Sequence, residues 1–287
     1  VIAGPGALLL RARRRAGRLL DEALARHTAA QTAVLRSELA ALRDELDARV
    51  RSEVDRAVAE IRAVEIRDRR DTIAATEREV VAGTARFVRE HLGDAVPLSG
   101  PEATLEHALG LAPTGGMALE FGVYRGETLR AIAAHRGDGR VHGFDTFTGL
   151  PENWRPGFPA GAFDDLAELP EVPGAELVVG LFDDTLDRFL ATHPGPVDFL
   201  HVDSDLYSSA VTVLEAVGPR LRPGSIVLFD EFFNFPDWER HEARAWWEYA
   251  EKHGVRHRYA CYTHDHEQVA VRIEGTAPHA GPAPRPR

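Results

Sequence analysis

Five short, almost continuously apolar runs recur between residues 116 and 230: GMALEFG (116–122), RVHGFDT (140–146), AELVVG (175–180), VDFLHVD (197–203) and GSIVLFD (224–230). A strand with one wet face alternates apolar and polar residues, whereas strands that are apolar throughout are buried on both faces, as when helices cover both sides of a parallel sheet. Helical segments separate the runs, so the expected fold class is α/β with a doubly wound, mostly parallel sheet. In such sheets ligands lie outside the carboxyl ends of the strands. Here the first, second, fourth and fifth runs end in an acid: Glu120, Asp145, Asp203 and Asp230. A single strand-end acid reads as a helix cap or turn residue. Four along one edge point to a binding site.

The chain of 287 residues, 44% hydrophobic, suffices for a large core. Residues 1–95 carry 18 arginines against 16 acids, while the remainder carries 16 basic residues against 29 acids. So acidic a main body is a poor partner for a phosphate backbone, which argues against nucleic acid. The lone Cys261 excludes an internal disulfide framework and fits a reducing, cytoplasmic setting. The opening decapeptide VIAGPGALLL is too short to span a bilayer, although the basic cluster after it also fits a membrane-proximal start.

From about Leu19 to Glu90 there is no proline and one glycine, which predicts one long helix or two. Its apolar residues Leu35, Leu39, Leu42, Leu46, Val50, Val54, Ala57, Ile61 and Val64 follow steps of three and four, nearer an eleven- than a seven-residue repeat. That suits a nearly unsupercoiled helix pair, so this segment is expected to be a coiled-coil stalk that makes a homo-oligomer. The expected organisation is a short apolar and basic tail (1–18), the stalk (19–92), a catalytic domain (93–275) and a Pro-rich disordered tail (276–287).

In EFGVYRGETL, Gly122 follows the first strand, where a glycine lets the backbone turn tightly and approach a ligand. The G-x-G-x-x-G spacing of a dinucleotide site is missing, so Glu120 is read as a partner for an ammonium group rather than part of a pyrophosphate cradle. Asp145, about 25 residues on, stands where an acid commonly grips a ribose. Asp203, Asp230 and Glu231 end neighbouring strands, within reach of one hard, oxygen-preferring cation such as Mg²⁺.

These words, with FDTFTGLPENW, GLFDDTLDRFL, the segment DFLHVDSDLYSSAVTVLEAVGPRLRPGSIVLFDEF and HEARAW, resemble the class I S-adenosylmethionine-dependent methyltransferases, specifically the macrocin and mycinamicin type of sugar O-methyltransferase. The resemblance covers roughly residues 115–247. It implies that Glu120, Gly122 and Tyr124 line the methionine end of S-adenosyl-L-methionine, that Asp145 holds its ribose and that Asp183 lies beside the adenine. It implies further that Mg²⁺ is chelated by Asp203, Asp230 and Glu231, with two vicinal hydroxyls of a sugar or glycosylated acceptor completing the shell. Glu231 departs from the Asp or Asn of that pattern. Asp203 is the candidate catalytic residue, as ligand and base. The other reading of Asp183 is a helix N-cap, and Asp205 is expected to cap the next helix or support Asp203.

THDHEQ (263–268) reads as a hairpin turn that brings His264 and His266 to the cofactor edge. Trp246 and Trp247 are expected in the core, Phe232, Phe233 and Trp238 as walls for the acceptor, and the Pro- and Gly-rich stretch 150–174 as a lid. Two other readings remain at this stage. Asp203-Ser204-Asp205 matches the D-x-D of metal-dependent glycosyltransferases, and the stalk is the working part if the domain is a scaffold.

Overall fold

A computed structural model of the chain describes residues 5–137 and 139–276. The first four residues of the expected N-terminal tail, and all of the expected Pro-rich tail but Thr276, lie outside the described residues. The chain divides into two compact units between Thr72 and Ile73.

The first unit is one helix, α1 (Pro5–Arg70). It begins well before Leu19, so the arginine-rich stretch expected as a tail is helical. The apolar stripe lies bare along it: Leu35, Leu42, Val50 and Ile61 are 59, 62, 53 and 66% exposed. Glu45–Arg49 (3.0 Å) and Glu65–Arg69 pair at i,i+4, each adding only a few tenths of a kcal/mol. Among the described residues no helix is long and apolar enough to cross a membrane.

The second unit opens with α2 (Thr72–His91). This helix was expected to belong to the stalk, with the boundary near residue 93. Instead Val80, Phe87 and Val88, which recur at helical spacing, pack on the core, and the Phe87 ring sits 5.2 Å from that of Trp238 and 5.8 Å from that of Tyr259. Packing of that apolar face moves the division back to residue 72.

Among the described residues the strands are β1 (Val96–Leu98), β2 (Met117–Phe121), β3 (Val141–Asp145), β4 (Ala175–Val179), β5 (Val197–Val202), β6 (Leu221–Phe229), β7 (Val255–Thr263) and β8 (Val269–Thr276). They form one sheet in the order β1-β7-β8-β6-β5-β2-β3-β4, in which only β8 runs antiparallel to its neighbours. All five apolar runs are strands. The three-residue β1 is hidden from the sequence inside DAVPLSG, and its Pro97 is tolerated because the strand lies at the sheet edge. The order reverses between β2 and β5, the switch point at which a doubly wound sheet opens a crevice.

Helices cover both faces, as the unbroken apolar runs require. On one face α5 (Phe182–Thr192), α6 (Tyr207–Val217), α7 (Glu242–His253) and α2 enclose Leu200, Val202, Val227 and Phe229; on the other α3 (Pro101–Leu111) and α4 (Glu127–Arg136) enclose Ala118, Phe199, Ile226 and Leu228. Phe199 and Leu200 thus face opposite cores, the period of two of a strand buried on both sides. This is the doubly wound, mostly parallel α/β architecture expected from the sequence.

Candidate active site

The ladder continues one residue past three strands. The N–H of Gly122 donates to Phe144, that of Asp203 to Phe121 and that of Asp230 to Val202, each at 2.9 Å. Gly122, Asp203 and Asp230 therefore stand side by side at the ends of β2, β5 and β6. Gly122 is at φ 95°, and a Cβ there would fall 1.7 Å from the Asp203 carbonyl oxygen, so only glycine allows the two strand ends to approach.

Gly122 and Asp203, with Glu231 in place of its neighbour Asp230, border a cavity of about 560 Å³, the size of a site for a cofactor-sized molecule, lined also by Tyr124, Asp145, Asp183 and Asp205. Asp145 anchors the glycine turn: its Oδ2 accepts from the N–H groups of Val123 and Tyr124 (2.8 Å each) and its Oδ1 from Phe147 (2.7 Å). Tyr124, at φ 45°, donates its hydroxyl to Asp165 of the β3–β4 connection (2.8 Å). Asp183 lies in the first turn of α5, whose N-cap is Leu181, and makes no capping hydrogen bond. The cap reading of Asp183 is thereby set aside.

Glu120 does not line the cavity. It pairs in register with His201 across β2 and β5, is fully buried, and its Oε1 lies 2.9 Å from His201 Nδ1. Burial pushes its pKa up, against the opposing pull of His201. His201 in turn reaches Asp230, Nε2 to Oδ1, at 3.6 Å, an ionic contact beyond hydrogen-bond range. Burial alone would lower the His201 pKa, but the two flanking carboxylates outweigh it and raise it well above the usual value. Glu120, His201 and Asp230 form a chain in which the imidazole stands between two carboxylates and holds the strand-end acid. Burial also works against the Asp230 charge, yet His201 holds that carboxyl below its usual pKa.

The remaining acids have no such counter-ion. Burial first, and then the charge of Asp230, raises both Asp203 and Glu231 well above the ordinary range. Asp205, at φ 61°, is pushed up to about 7, chiefly by burial, with Arg155 opposing. It does not cap α6, whose N-cap is Leu206. One donor atom each of His201, Asp203 and Asp230 lies within 4.8 Å of the others, a grouping that leaves out Glu231. Glu231 nonetheless faces the cavity, and its buried Oε2 has no hydrogen-bond partner. The two carboxylates of that grouping, with the orphaned Glu231 oxygen on the same cavity wall, offer oxygen donors that fit a hard cation.

Three contributors were not singled out from the sequence. His201 was read as an ordinary residue of an apolar run, and only the register with Glu120 exposes its role. Glu242, inside the quoted HEARAW, accepts the N–H of Ser204 (3.4 Å) on Oε1 and that of Glu231 (3.2 Å) on Oε2, tying together the loops after β5 and β6. Arg155 bonds both carboxylate oxygens of Glu267 (3.1 and 3.0 Å) and stacks 3.9 Å over Trp154, which fastens the β3–β4 connection to the β7–β8 hairpin.

The expected aromatic walls are corrected. Phe232, Phe233 and Trp238 are buried in the core around Phe87, whereas Trp154, Phe158 and Phe163 of the β3–β4 connection line the cavity. Trp246 and Trp247 do join the core. His264 and His266 are exposed in the hairpin turn and do not line the cavity.

Residues 119–232, the segment that carries these strand ends, match the family model described as a methyltransferase domain. That match falls within the segment whose sequence words carry the resemblance. The chain is 34% identical over 142 residues to the 8-demethyl-8-(2,3-dimethoxy-alpha-L-rhamnosyl)-tetracenomycin-C 4'-O-methyltransferase of Streptomyces olivaceus, a match covering 41% of this chain and 53% of that relative. It thus spans about half the length of this curated relative. Among solved structures, the calicheamicin methyltransferase CalS11 is similar at 27% identity and TM-score 0.48 over 59% of this chain and 76% of that one. The O-methyltransferase NovP is similar at 22% and 0.43 over 61% and 80%.

Proposed function

We propose that this protein is an S-adenosylmethionine-dependent O-methyltransferase that needs a divalent cation, of which Mg²⁺ is the natural choice, and that its acceptor is a sugar or glycosylated molecule with vicinal hydroxyls. The observation that carries this reading is the convergence of the Gly122 turn and the acids after β5 and β6 on one cavity. The curated relative, named as a 4'-O-methyltransferase of a dimethoxyrhamnosyl compound, supports a glycosylated acceptor.

The residues divide the work by position. Gly122 and Tyr124 form the turn against which the methionine end packs, Asp145 keeps that turn in shape and faces the ribose, and Asp183 borders the adenine end. Glu120 acts from beneath through His201 rather than by touching the cofactor. Bound S-adenosylmethionine would supply a methyl group on a sulfonium leaving group, so the protein's task is alignment and exclusion of water. Asp203 and Asp230, with Glu231 beside them, would hold a cation, which would supply polarisation of an acceptor hydroxyl. His201, held between the carboxylates of Glu120 and Asp230, orients Asp230. Asp205 takes the acceptor proton, as its place on the wall and its pKa near 7 favour. The indole N–H of Trp154 is buried without a protein partner and is a ready donor to an acceptor oxygen.

Calorimetry with S-adenosylmethionine and, separately, with nucleotide sugars tests the assignment. Binding of the first alone is expected, with methyl transfer abolished by EDTA and restored by Mg²⁺. Binding of a nucleotide sugar in its place would favour the D-x-D reading. For α1 we propose self-association through its bare apolar stripe, which is costly to leave in water. A chain beginning at Ile73 should show a lower oligomeric state by light scattering than the full chain, and an unchanged state would defeat this role.

A further inference from the structure

A second group of metal-binding side chains lies at the other end of β3, and the proposed reaction makes no use of it. His142 on β3 and Glu176 on β4 are register partners, so both side chains leave the same face, and His142 Nδ1 lies 3.6 Å from Glu176 Oε2. His193, the residue after α5, brings its ring centroid to 5.0 Å from that of His142. One donor atom from each of the three lies within 4.8 Å of the other two. His142 precedes Asp145 by three residues, which at about 3.3 Å per residue puts this group roughly 10 Å from the cavity end of the strand.

Several features distinguish the trio from a chance surface grouping. His142 is only 5% exposed, and its Nδ1 is buried with no hydrogen-bond partner. Burial, reinforced by His193, holds the His142 pKa below its usual value, against the pull of Glu176. The Nδ1 of His193 lies 3.0 Å from both the Phe189 carbonyl and the Thr192 hydroxyl, and donation to the carbonyl leaves its lone pair on Nε2. A backbone carbonyl that fixes the tautomer in this way is the usual support of a metal-ligating histidine. The Phe189 ring backs the group, stacked on His193 at 4.2 Å and edge-on to His142 at 4.8 Å, while Glu176 stands at the solvent side.

We propose that His142, Glu176 and His193 form a Zn²⁺ site, with three protein ligands and a fourth position open to water. Two imidazoles and one carboxylate favour a borderline transition metal over Mg²⁺, whose preference is for oxygen. The site joins β3, the C-terminal end of α5 and β4, the terminal strand of the sheet, whose outer edge has no strand partner among the described residues. A metal there clasps an edge that hydrogen bonds alone hold from one side. Because the unfolded chain cannot assemble these ligands, binding stabilises the native state.

The test uses untagged full-length protein stripped with EDTA and held in excess Mg²⁺, which occupies the oxygen-rich site. Calorimetric titration with ZnCl₂ should show one equivalent per chain, and CoCl₂ should give the visible absorption of a four-coordinate ion. His193→Gln, at a half-exposed position that does not threaten folding, should weaken Zn²⁺ binding about 100-fold, since loss of even an outer partner of a ligand costs about 10–100-fold. Glu176→Gln should weaken it less, and Asp203→Asn should leave it unchanged. An identical titration in His193→Gln and the wild type, or a loss of Zn²⁺ binding in Asp203→Asn alone, would overturn the proposal.

Discussion

Asp198 and Asp203 sit near opposite ends of the same strand, and replacing each by Asn should change stability in opposite directions. Asp198 is fully buried with its charge answered: Oδ1 accepts from Arg222 Nε (2.7 Å), Oδ2 from the Gly116 N–H (2.6 Å), and buried Arg136 lies 3.6 Å away. Gly116 has no room for a side chain, since a Cβ there would fall 2.7 Å from the Asp198 carboxyl carbon. Asp198→Asn keeps the shape but leaves the Arg136 charge buried and unanswered. Breaking such a pair from one side costs about 3–5 kcal/mol, which in a unit of this size corresponds to a Tm lower by about 6–20 °C. Asp203 is the reverse case, a carboxylate whose charge is opposed by burial and by Asp230. Asp203→Asn removes that penalty and should raise Tm at pH 8 without metal by about 2–4 °C, for a gain of about 1 kcal/mol. Differential scanning calorimetry of both variants in metal-free buffer decides the matter. A Tm for Asp198→Asn equal to that of the wild type, or a large loss for Asp203→Asn, would refute the division between a structural and a functional acid.

The site acids also set a pH dependence. Asp203, Asp205, Glu231 and Glu242 have folded pKa values above their unfolded ones, so the stability they contribute is complete at low pH and is lost as pH rises toward the folded values. His201, also raised, acts in the same direction, and metal-free Tm should be higher at pH 6 than at pH 8.5, with Mg²⁺ narrowing the gap; a flat profile would contradict this. Gly122→Ala should weaken S-adenosylmethionine binding by at least about 100-fold in calorimetry, because the Cβ collides with the Asp203 backbone. Glu242→Gln should lower Mg²⁺ affinity about 10–100-fold by loosening the loops that carry Asp203 and Glu231, read as the Mg²⁺ concentration giving half-maximal methyl transfer. Trp154→Ala should raise the acceptor KM while leaving the cofactor Kd unchanged, and a change confined to the cofactor would move Trp154 to the other half of the cavity.

The parts of this protein legible in its sequence are those that local patterns encode. Near-continuous apolar runs favour strands buried on both faces, as four of the five are here while β4 at the sheet edge is partly exposed, so the doubly wound sheet and the row of strand-end acids follow from residues read in order. The glycine turn and the lid-like stretch are written the same way, as is the long helix, whose composition has no strong breaker. What the sequence leaves open depends on which residues meet across the chain. His201 becomes the counter-ion of Asp230 only because β2 and β5 pair with Glu120 opposite it, 81 positions earlier in the chain. Phe232, Phe233 and Trp238 look like acceptor walls until α2 packs Phe87 among them, and the same contact transfers α2 from the stalk to the catalytic unit. Glu242 ties two loops together, and His142, Glu176 and His193 converge, through strand register and helix placement that no local periodicity records. Secondary structure answers to the hydrophobic pattern of neighbouring residues, whereas the company a polar side chain keeps is decided by tertiary contacts between distant ones.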